Sequence, residues 1–230
     1  MDEIQQKVQD AALRLFAERG YETTSVDDIA AAVGLSRSTF FRMFGSKEAA
    51  VFADHEHLLE QVKERLDSQV VGDPVSAVVD AVRLVLRHFL QEGERARARY
   101  VLTSRVPGLR DRELVSSARY QLAFRRYLSS RGDGSETAEL RAELVAGAVV
   151  AAHNHVLRRW LRGEANDPER ELDAALTFVH ERATESAPAA GPAAVVVVPA
   201  GASMMAIEHA VRQALVRGGE LVASSPTFDA

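Results

Sequence analysis

The chain of 230 residues contains no cysteine, which excludes disulfide bonds, thiolate metal sites and a cysteine nucleophile. Aromatic residues are also few, at 6%. Apolar residues at 47% and charged residues at 27% are ordinary for a soluble globular protein. The length is enough for one or two domains with a substantial buried core.

The sequence lacks the features of a secreted or membrane protein. Its first residues form neither a basic nor an apolar leader. The longest uncharged stretch, residues 187–207, contains three prolines and two glycines, and this composition predicts a linker rather than a membrane span. We therefore expect a cytoplasmic protein without membrane contacts.

The net charge of −5 argues against nucleic-acid binding unless the basic residues are clustered. Residues 36–47 hold three basic residues and no acid, and residues 94–126 hold nine arginines against three acids. Two basic zones therefore lie within an acidic chain, and each needs its own explanation.

Hydrophobic periodicity predicts an all-α body of about nine helices that ends near residue 185. Gly45 is a predicted helix end, and one helix is expected to run from Lys47 towards Asp67. A long helix is predicted over residues 136–162. Its centre is apolar on every side, a pattern typical of a helix buried between its own bundle and a partner subunit.

Residues 25–44 are the most informative segment. Ser25 is the predicted N-cap of one short helix and Ser36 of the next, and Gly34 lies in the turn between them, where a left-handed backbone is needed. The pattern indicates a helix-turn-helix, the second helix of which can enter a DNA groove. The residues predicted to point outward from that helix are Arg37, Ser38, Phe41 and Arg42.

Over about its first 55 residues the chain resembles the TetR family of transcriptional regulators. The matching runs are 16–21, 24–30, 34–44 and 46–48. The resemblance implies a TetR-like fold with a three-helix helix-turn-helix domain over residues 1–47. A helical effector-binding and dimerisation bundle would follow over residues 48–185.

The resemblance also implies a homodimer that binds double-stranded DNA at an inverted-repeat operator. Arg37, Ser38 and Arg42 would lie nearest the bases, whereas Lys47 would contact a phosphate. This interpretation requires the three cations to share one exposed face. The full set of residues expected at the DNA is Thr24, Ser25, Ser36, Arg37, Ser38, Thr39, Phe41, Arg42 and Lys47.

Two positions depart from the family's pattern. Most relatives have tyrosine where this chain has Phe41, and the phenylalanine ring lacks the hydroxyl that bonds a phosphate. Most also have histidine or tyrosine where Met43 stands. The departures weaken the list of individual contacts, and the helix-turn-helix pattern itself remains.

The second basic zone falls on the predicted sixth and seventh helices, which in the family border the effector pocket. Its arginines are expected mostly to be solvated or paired with acids. One or two, with Arg105 as the candidate, would form the mouth of a pocket for an anionic ligand, since guanidinium suits carboxylate or phosphate.

Runs at 94–99, 104–109 and 157–161 resemble a subgroup that includes mycofactocin-system regulators, and this suggests an acyl-CoA-like effector. The candidate pocket residues are His88, Tyr100, Arg105, Tyr120, Phe124 and His153. For each histidine and tyrosine the alternative is a core residue with its hydrogen bonds satisfied.

No catalytic, metal or cofactor site is predicted. His55 and His57, like His153 and His155, are two residues apart on a helix, so the members of each pair point in different directions and cannot chelate one ion. The sequence shows no glycine-rich phosphate loop and no nucleophile elbow. We expect a protein that is not an enzyme.

Residues 186–230 have no counterpart in the resemblance and are predicted to be a linker and an irregular appendix. A strand is expected at 195–198, a helix at 203–217 and a short strand at 218–223. No role is predicted for them.

The sequence therefore predicts a ligand-responsive transcriptional regulator, most simply a repressor. The alternative is a helical ligand-binding or protein-interaction bundle that has lost DNA binding. Only the acidic N-terminal segment and Phe41 favour that alternative.

Overall fold

In the computed structural model, which describes residues 3–69 and 72–184, every regular element is a helix. The predicted all-α class is confirmed. The helices of the described residues are α1 (Glu3–Arg19), α2 (Val26–Ala32), α3 (Arg37–Phe44), α4 (Lys47–Val51), α5 (His55–Asp67), α6 (Pro74–Glu92), α7 (Glu94–Arg105), α8 (Pro107–Ser130), α9 (Glu136–Leu161) and α10 (Pro168–Thr184).

The described residues form ten helices rather than nine, because the expected single helix from Lys47 towards Asp67 is divided. A turn at residues 52–54 separates α4 from α5. Phe52 and Asp54 are both buried there. A continuous helix would point residues two apart about 200° from each other, so the break is what turns both side chains inward.

Local caps define the helix-turn-helix. The Ser25 hydroxyl accepts from the Asp28 amide, and the Asp28 carboxylate accepts from the Ser25 amide at 2.8 Å, which completes a capping box at α2. Ser36 caps α3 by accepting from the Thr39 amide. Gly34 adopts a φ of 71°, which glycine tolerates without a steric cost.

Helices α1 to α4 surround a first apolar core that includes Ile29 and Phe40, both fully buried. The core continues through Val51 and Phe52 and also contains Leu109, which comes from the start of α8 and is fully buried. A residue that follows α7 in the chain therefore completes the core of the N-terminal helices.

The remaining helices surround a second core around Phe124, to which α5, α6, α8, α9 and α10 contribute. In α9, Val145 and Val149 are buried in that core, whereas Leu140 and Leu144 are 59% and 64% exposed. The helix with an apolar centre is therefore covered on one side only within a single chain.

No helix in residues 3–69 and 72–184 is both long and apolar enough to cross a bilayer. The appendix predicted over residues 186–230, with its two strands and one helix, lies outside the described residues.

Candidate DNA-binding surface and ligand cavity

Helix α3 presents Arg37, Ser38 and Arg42 to solvent. Residues four apart share a helix face, so Ser38 and Arg42 form one row and Arg37 and Phe41 the adjacent row. The buried Phe40 anchors the opposite side of α3 in the N-terminal core. The helix therefore presents a polar, cationic surface and is fixed to the N-terminal core through Phe40.

Arg37 is held in place by two neighbours. Its Nη1 lies 2.6 Å from a carboxylate oxygen of Asp27 on α2, and its guanidinium stacks 5.1 Å from the centroid of the exposed Phe41 ring. Phe41, which departs from the family's tyrosine, thus orients the arginine beside it.

Lys47 is half-buried, whereas Arg37 and Arg42 are exposed, and a face shared by the three cations stays a prediction. Its Nζ donates to the carbonyl oxygens of Tyr21 and Thr24, at 2.7 and 3.2 Å, and lies 4.0 Å from the centroid of the Tyr21 ring. The ammonium ties α4 to the loop before α2. A phosphate contact through its third N–H stays a prediction.

The remaining predicted DNA residues have structural partners. Thr24 is buried, and its hydroxyl donates to the Gly20 carbonyl at 2.8 Å. The Thr39 hydroxyl shares a hydrogen bond of 2.9 Å with Ser36. Ser25 and Ser36 cap α2 and α3, as described above. These side chains shape the motif, and whether they also contact a phosphate stays a prediction.

A cavity lies in the second core between α6, α8 and α9, and we call it the α8–α9 cavity. Tyr120, Phe124 and His153, three of the predicted pocket residues, line it. Its lining residues are His55, Val82, Val85, Phe89, Glu113, Ser116, Ser117, Tyr120, Phe124, Val150, His153, Asn154 and Leu157.

Three buried polar atoms in this lining have no hydrogen-bond partner among the described residues: His55 Nε2, the Tyr120 hydroxyl and His153 Nε2. Burial lowers the pKa of His153 to about 4, and burial together with the charge of Arg99 lowers that of His55 to about 3, so both imidazoles are neutral near pH 7. Burial raises the pKa of Tyr120, which keeps its hydroxyl protonated.

The other three predicted pocket residues do not line this cavity, and an effector contact for them stays a prediction. His88, Tyr100 and Arg105 line neither this cavity nor the more open cleft beside Arg131 and Arg141. Arg105 is exposed at the end of α7, where its length and charge keep it in solvent. His88 instead donates to Asp54 at 2.7 Å.

A buried charge cluster beside the cavity was not predicted. Asp54, His88 and Glu92 place ligand-type atoms within 4.8 Å of one another. Arg99, 3% exposed, donates to both oxygens of Glu92 at 2.9 and 2.5 Å and lies 3.7 Å from Asp54. The guanidinium supplies the positive charge that the two buried carboxylates require.

The charge cluster contacts α1 on one side and the wall of the α8–α9 cavity on the other. Gln9 of α1 donates to Asp54 and to the Val51 carbonyl, at 3.1 and 2.9 Å. On the other side, the Arg99 guanidinium lies 5.2 Å from the ring of Phe89, which lines the α8–α9 cavity. Although burial opposes it, the hydrogen bond from His88 and the charge of Arg99 hold the pKa of Asp54 well below its usual value.

Much of the second basic zone is paired with acids from other helices. Arg95 of α7 donates to both carboxylate oxygens of Asp10 on α1, at 2.6 and 3.1 Å. Arg119 of α8 does the same with Glu56 on α5, at 2.6 Å for both bonds. These arginines join helices and do not line the cavity.

A helix-turn-helix with an exposed cationic second helix, carried on a larger helical body with an internal cavity, defines a DNA-binding regulator. Residues 9–53 match the family model for bacterial regulatory proteins of the tetR family, and residues 72–184 match that for the MftR C-terminal domain. The chain belongs to the TetR family of transcriptional regulators. The resemblance to the subgroup of mycofactocin-system regulators is confirmed as well.

Similar proteins support the assignment over most of the chain. The mycofactocin biosynthesis transcriptional regulator MftR of Mycobacterium tuberculosis is 30% identical over 176 residues, which span 75% of this chain and 87% of MftR. The regulator TcmR of Streptomyces glaucescens is 29% identical over 182 residues, 76% of this chain and 78% of TcmR.

Solved structures share the fold. A TetR-family regulator from Syntrophomonas wolfei superposes with a TM-score of 0.58 at 21% identity, covering 79% of this chain and 95% of its own.

Proposed function

We propose that the chain is a ligand-responsive repressor that acts in the cytoplasm and binds an inverted-repeat operator as a homodimer. The observation that carries the proposal is α3, which combines a buried anchor, Phe40, with the exposed Arg37, Ser38 and Arg42. Side chains of these types read base edges and phosphates in a major groove. Two such helices would enter successive grooves roughly 34 Å apart.

Exposed apolar residues on α8 and α9 support the homodimer. Leu114 and Val115 of α8 are 63% and 62% exposed, and Leu140 and Leu144 of α9 are exposed to a similar degree. Large apolar side chains exposed on two neighbouring helices mark a candidate interaction surface. A twofold axis that pairs α8 and α9 with their copies would cover these residues.

The α8–α9 cavity is the proposed effector site, and the buried charge cluster is the proposed link to the DNA-binding helices. A ligand that displaces Phe89 would act on Arg99, and through Asp54 on Gln9 of α1. Effector binding would then favour a dimer in which the two α3 helices no longer match the operator spacing.

The test is a fluorescence-anisotropy titration of the full chain with duplexes tiled across the DNA upstream of its own gene, at several salt concentrations. Saturable binding to an inverted repeat and not to its scrambled version is expected. Arg37→Ala should lower the ratio of specific to non-specific affinity by about 5- to 100-fold, the usual range for one base contact.

The matched control is Arg119→Ala, which also breaks an exposed ion pair but lies on α8. It should leave the ratio unchanged. Equal and salt-sensitive binding of the wild type to both the tiled and the scrambled duplexes would favour the alternative, a helical bundle that has lost sequence-specific DNA binding.

A further inference from the structure

The walls of the α8–α9 cavity are mainly apolar. Val82, Val85 and Phe89 of α6 face Phe124 of α8 and Leu157 of α9 across it. Such walls favour a molecule with an apolar body, because its transfer from water is driven by buried apolar area.

The orientation of the Asn154 amide determines the tautomer of His153 at the cavity. Asn154 Nδ2 donates to Ser117 Oγ at 2.9 Å, and Asn154 Oδ1 lies 3.1 Å from His153 Nδ1. Because the amide oxygen can only accept, Nδ1 carries the proton of the neutral imidazole. His153 Nε2, without a partner in the described part of the chain, is therefore left as a buried acceptor.

An acceptor in this position needs a donor from the ligand. His153 is only 6% exposed, and a buried acceptor without a partner carries a desolvation cost that a ligand N–H or O–H removes. The Tyr120 hydroxyl, which also lacks a partner among residues 3–69 and 72–184, adds one donor of its own. His153 Nε2 and the Tyr120 hydroxyl are thus two points at which the cavity can form a hydrogen bond with a ligand.

The charge at the cavity disfavours an anion. Of the lining residues, all within the described ranges, Glu113 alone carries a charge, and no arginine or lysine is among them. A carboxylate or phosphate would enter without a cation to pair with, beside a carboxylate. A ligand cation would find the charge of Glu113 already partly balanced, because Glu113 interacts with the charge of Arg99, which does not line the cavity.

We propose that the α8–α9 cavity takes an uncharged, largely apolar small molecule that donates one hydrogen bond to His153 Nε2. This inference rests on the proposed function only in assigning the cavity as the effector site, and it replaces the anionic, acyl-CoA-like effector suggested by the sequence. The ligand class follows from the cavity's own side chains.

The test uses three fluorescent probes with one scaffold and needs no DNA. N-phenyl-2-naphthylamine is neutral and has one N–H donor, its N-methyl derivative lacks that donor, and its 6-sulfonate is anionic. Titrated against the full chain at pH 7.5, the parent probe should show saturable binding. It should bind about tenfold more tightly than either derivative, as expected for one buried hydrogen bond or one unpaired charge.

Two variants test whether the ligand donates its hydrogen bond to His153. His153→Leu should bring the affinities of the parent and the N-methyl probe to within about twofold, because the buried acceptor is gone. His155→Leu is the same change on the exposed side of α9, and it should preserve the roughly tenfold difference in affinity between the parent and the N-methyl probe. Should His153→Leu fail to fold, the three-probe comparison on the wild type still decides the ligand class.

Any of three results would overturn the inference. The parent probe could fail to show saturable binding, or the N-methyl derivative could bind as tightly as the parent. In the third case, the sulfonate or a trimethylammonium analogue would bind as tightly as the parent. If the wild type bound no operator in the separate DNA titration but kept its preference among the probes, the proposed function would be wrong and the proposed ligand class would still hold.

Discussion

Gln9 of α1 donates a hydrogen bond to Asp54 across 3.1 Å, and both side chains are buried. Through this bond the DNA-binding helices contact a buried charge cluster that also touches the wall of the ligand cavity. The position of α1 is therefore tied to the cluster of Asp54, Arg99 and Glu92.

The charge cluster predicts a contrast between two arginines. Arg99→Met should lower the free energy of unfolding by about 3–5 kcal/mol, because it leaves Asp54 and Glu92 buried without their cation. Arg119→Met removes an exposed pair with Glu56 and should cost less than about 1 kcal/mol. Urea unfolding monitored by circular dichroism measures both, and equal losses would contradict a stabilising role of the cluster.

The N-cap of α3 predicts that one serine affects the stability of the fold and that another affects DNA binding. Ser36→Ala should lower the free energy of unfolding by about 1 kcal/mol, because the Thr39 amide loses its acceptor. Ser38→Ala, two residues further on, should leave stability within about 0.5 kcal/mol of the wild type and weaken operator selectivity instead. Thermal unfolding and the anisotropy titration distinguish the two effects. A Ser38 variant as unstable as the Ser36 variant would refute the assignment.

The two buried imidazoles predict a loss of stability in weak acid. In the unfolded chain each histidine takes up a proton near its ordinary pKa of 6.5, whereas the folded chain resists protonation of His153 down to about pH 4 and of His55 to about 3. The unfolded state thus binds more protons between about pH 6.5 and 4, so stability falls as the pH is lowered through that range.

Unfolding free energies measured from pH 7.5 to 4.5 give the slope. His153→Leu should reduce it by up to about 1.4 kcal/mol per pH unit, the value for one proton. His155→Leu is the control, since that residue is exposed. An unchanged slope in the His153 variant would show that the imidazole is charged or solvated in the folded protein.

The apolar face of α8 and α9 predicts the oligomeric state. Leu144→Glu should raise the dimer dissociation constant by more than about 100-fold, because a twofold interface would bury two unpaired carboxylates. Val101→Glu changes an exposed apolar residue on α7 and should leave the dimer intact. Sedimentation velocity measures both, and a dimeric Leu144 variant would place the interface elsewhere.

Local signals in the sequence carried the prediction of the helix-turn-helix. The capping box at Ser25, the cap at Ser36 and the helix end at Gly45 are interactions between residues a few positions apart, so the sequence displays them directly. The break after α4 was missed because its cause is not local. Asp54 turns inward to meet Gln9 and His88, which come from other helices.

The same distinction explains the candidate pocket. Helical periodicity identifies residues that face inward, and Tyr120, Phe124 and His153 do line the cavity. It does not tell which inward face leaves space and which is filled, so His88 was placed with them although it pairs with Asp54. The spacing of His88 and Glu92, four apart on one helix, was the one available signal of the charge cluster.

The position of Leu109 determines where the chain can be divided into separate domains. Its side chain fills the core of α1 to α4, yet it lies outside residues 9–53 that match the family's DNA-binding model. A fragment cut after α4 would lack this side chain and would expose the apolar residues that pack with it. A chimaera that exchanges the DNA reader of this protein for that of a relative must therefore carry over the start of α8, or redesign residue 109 to fit the new core.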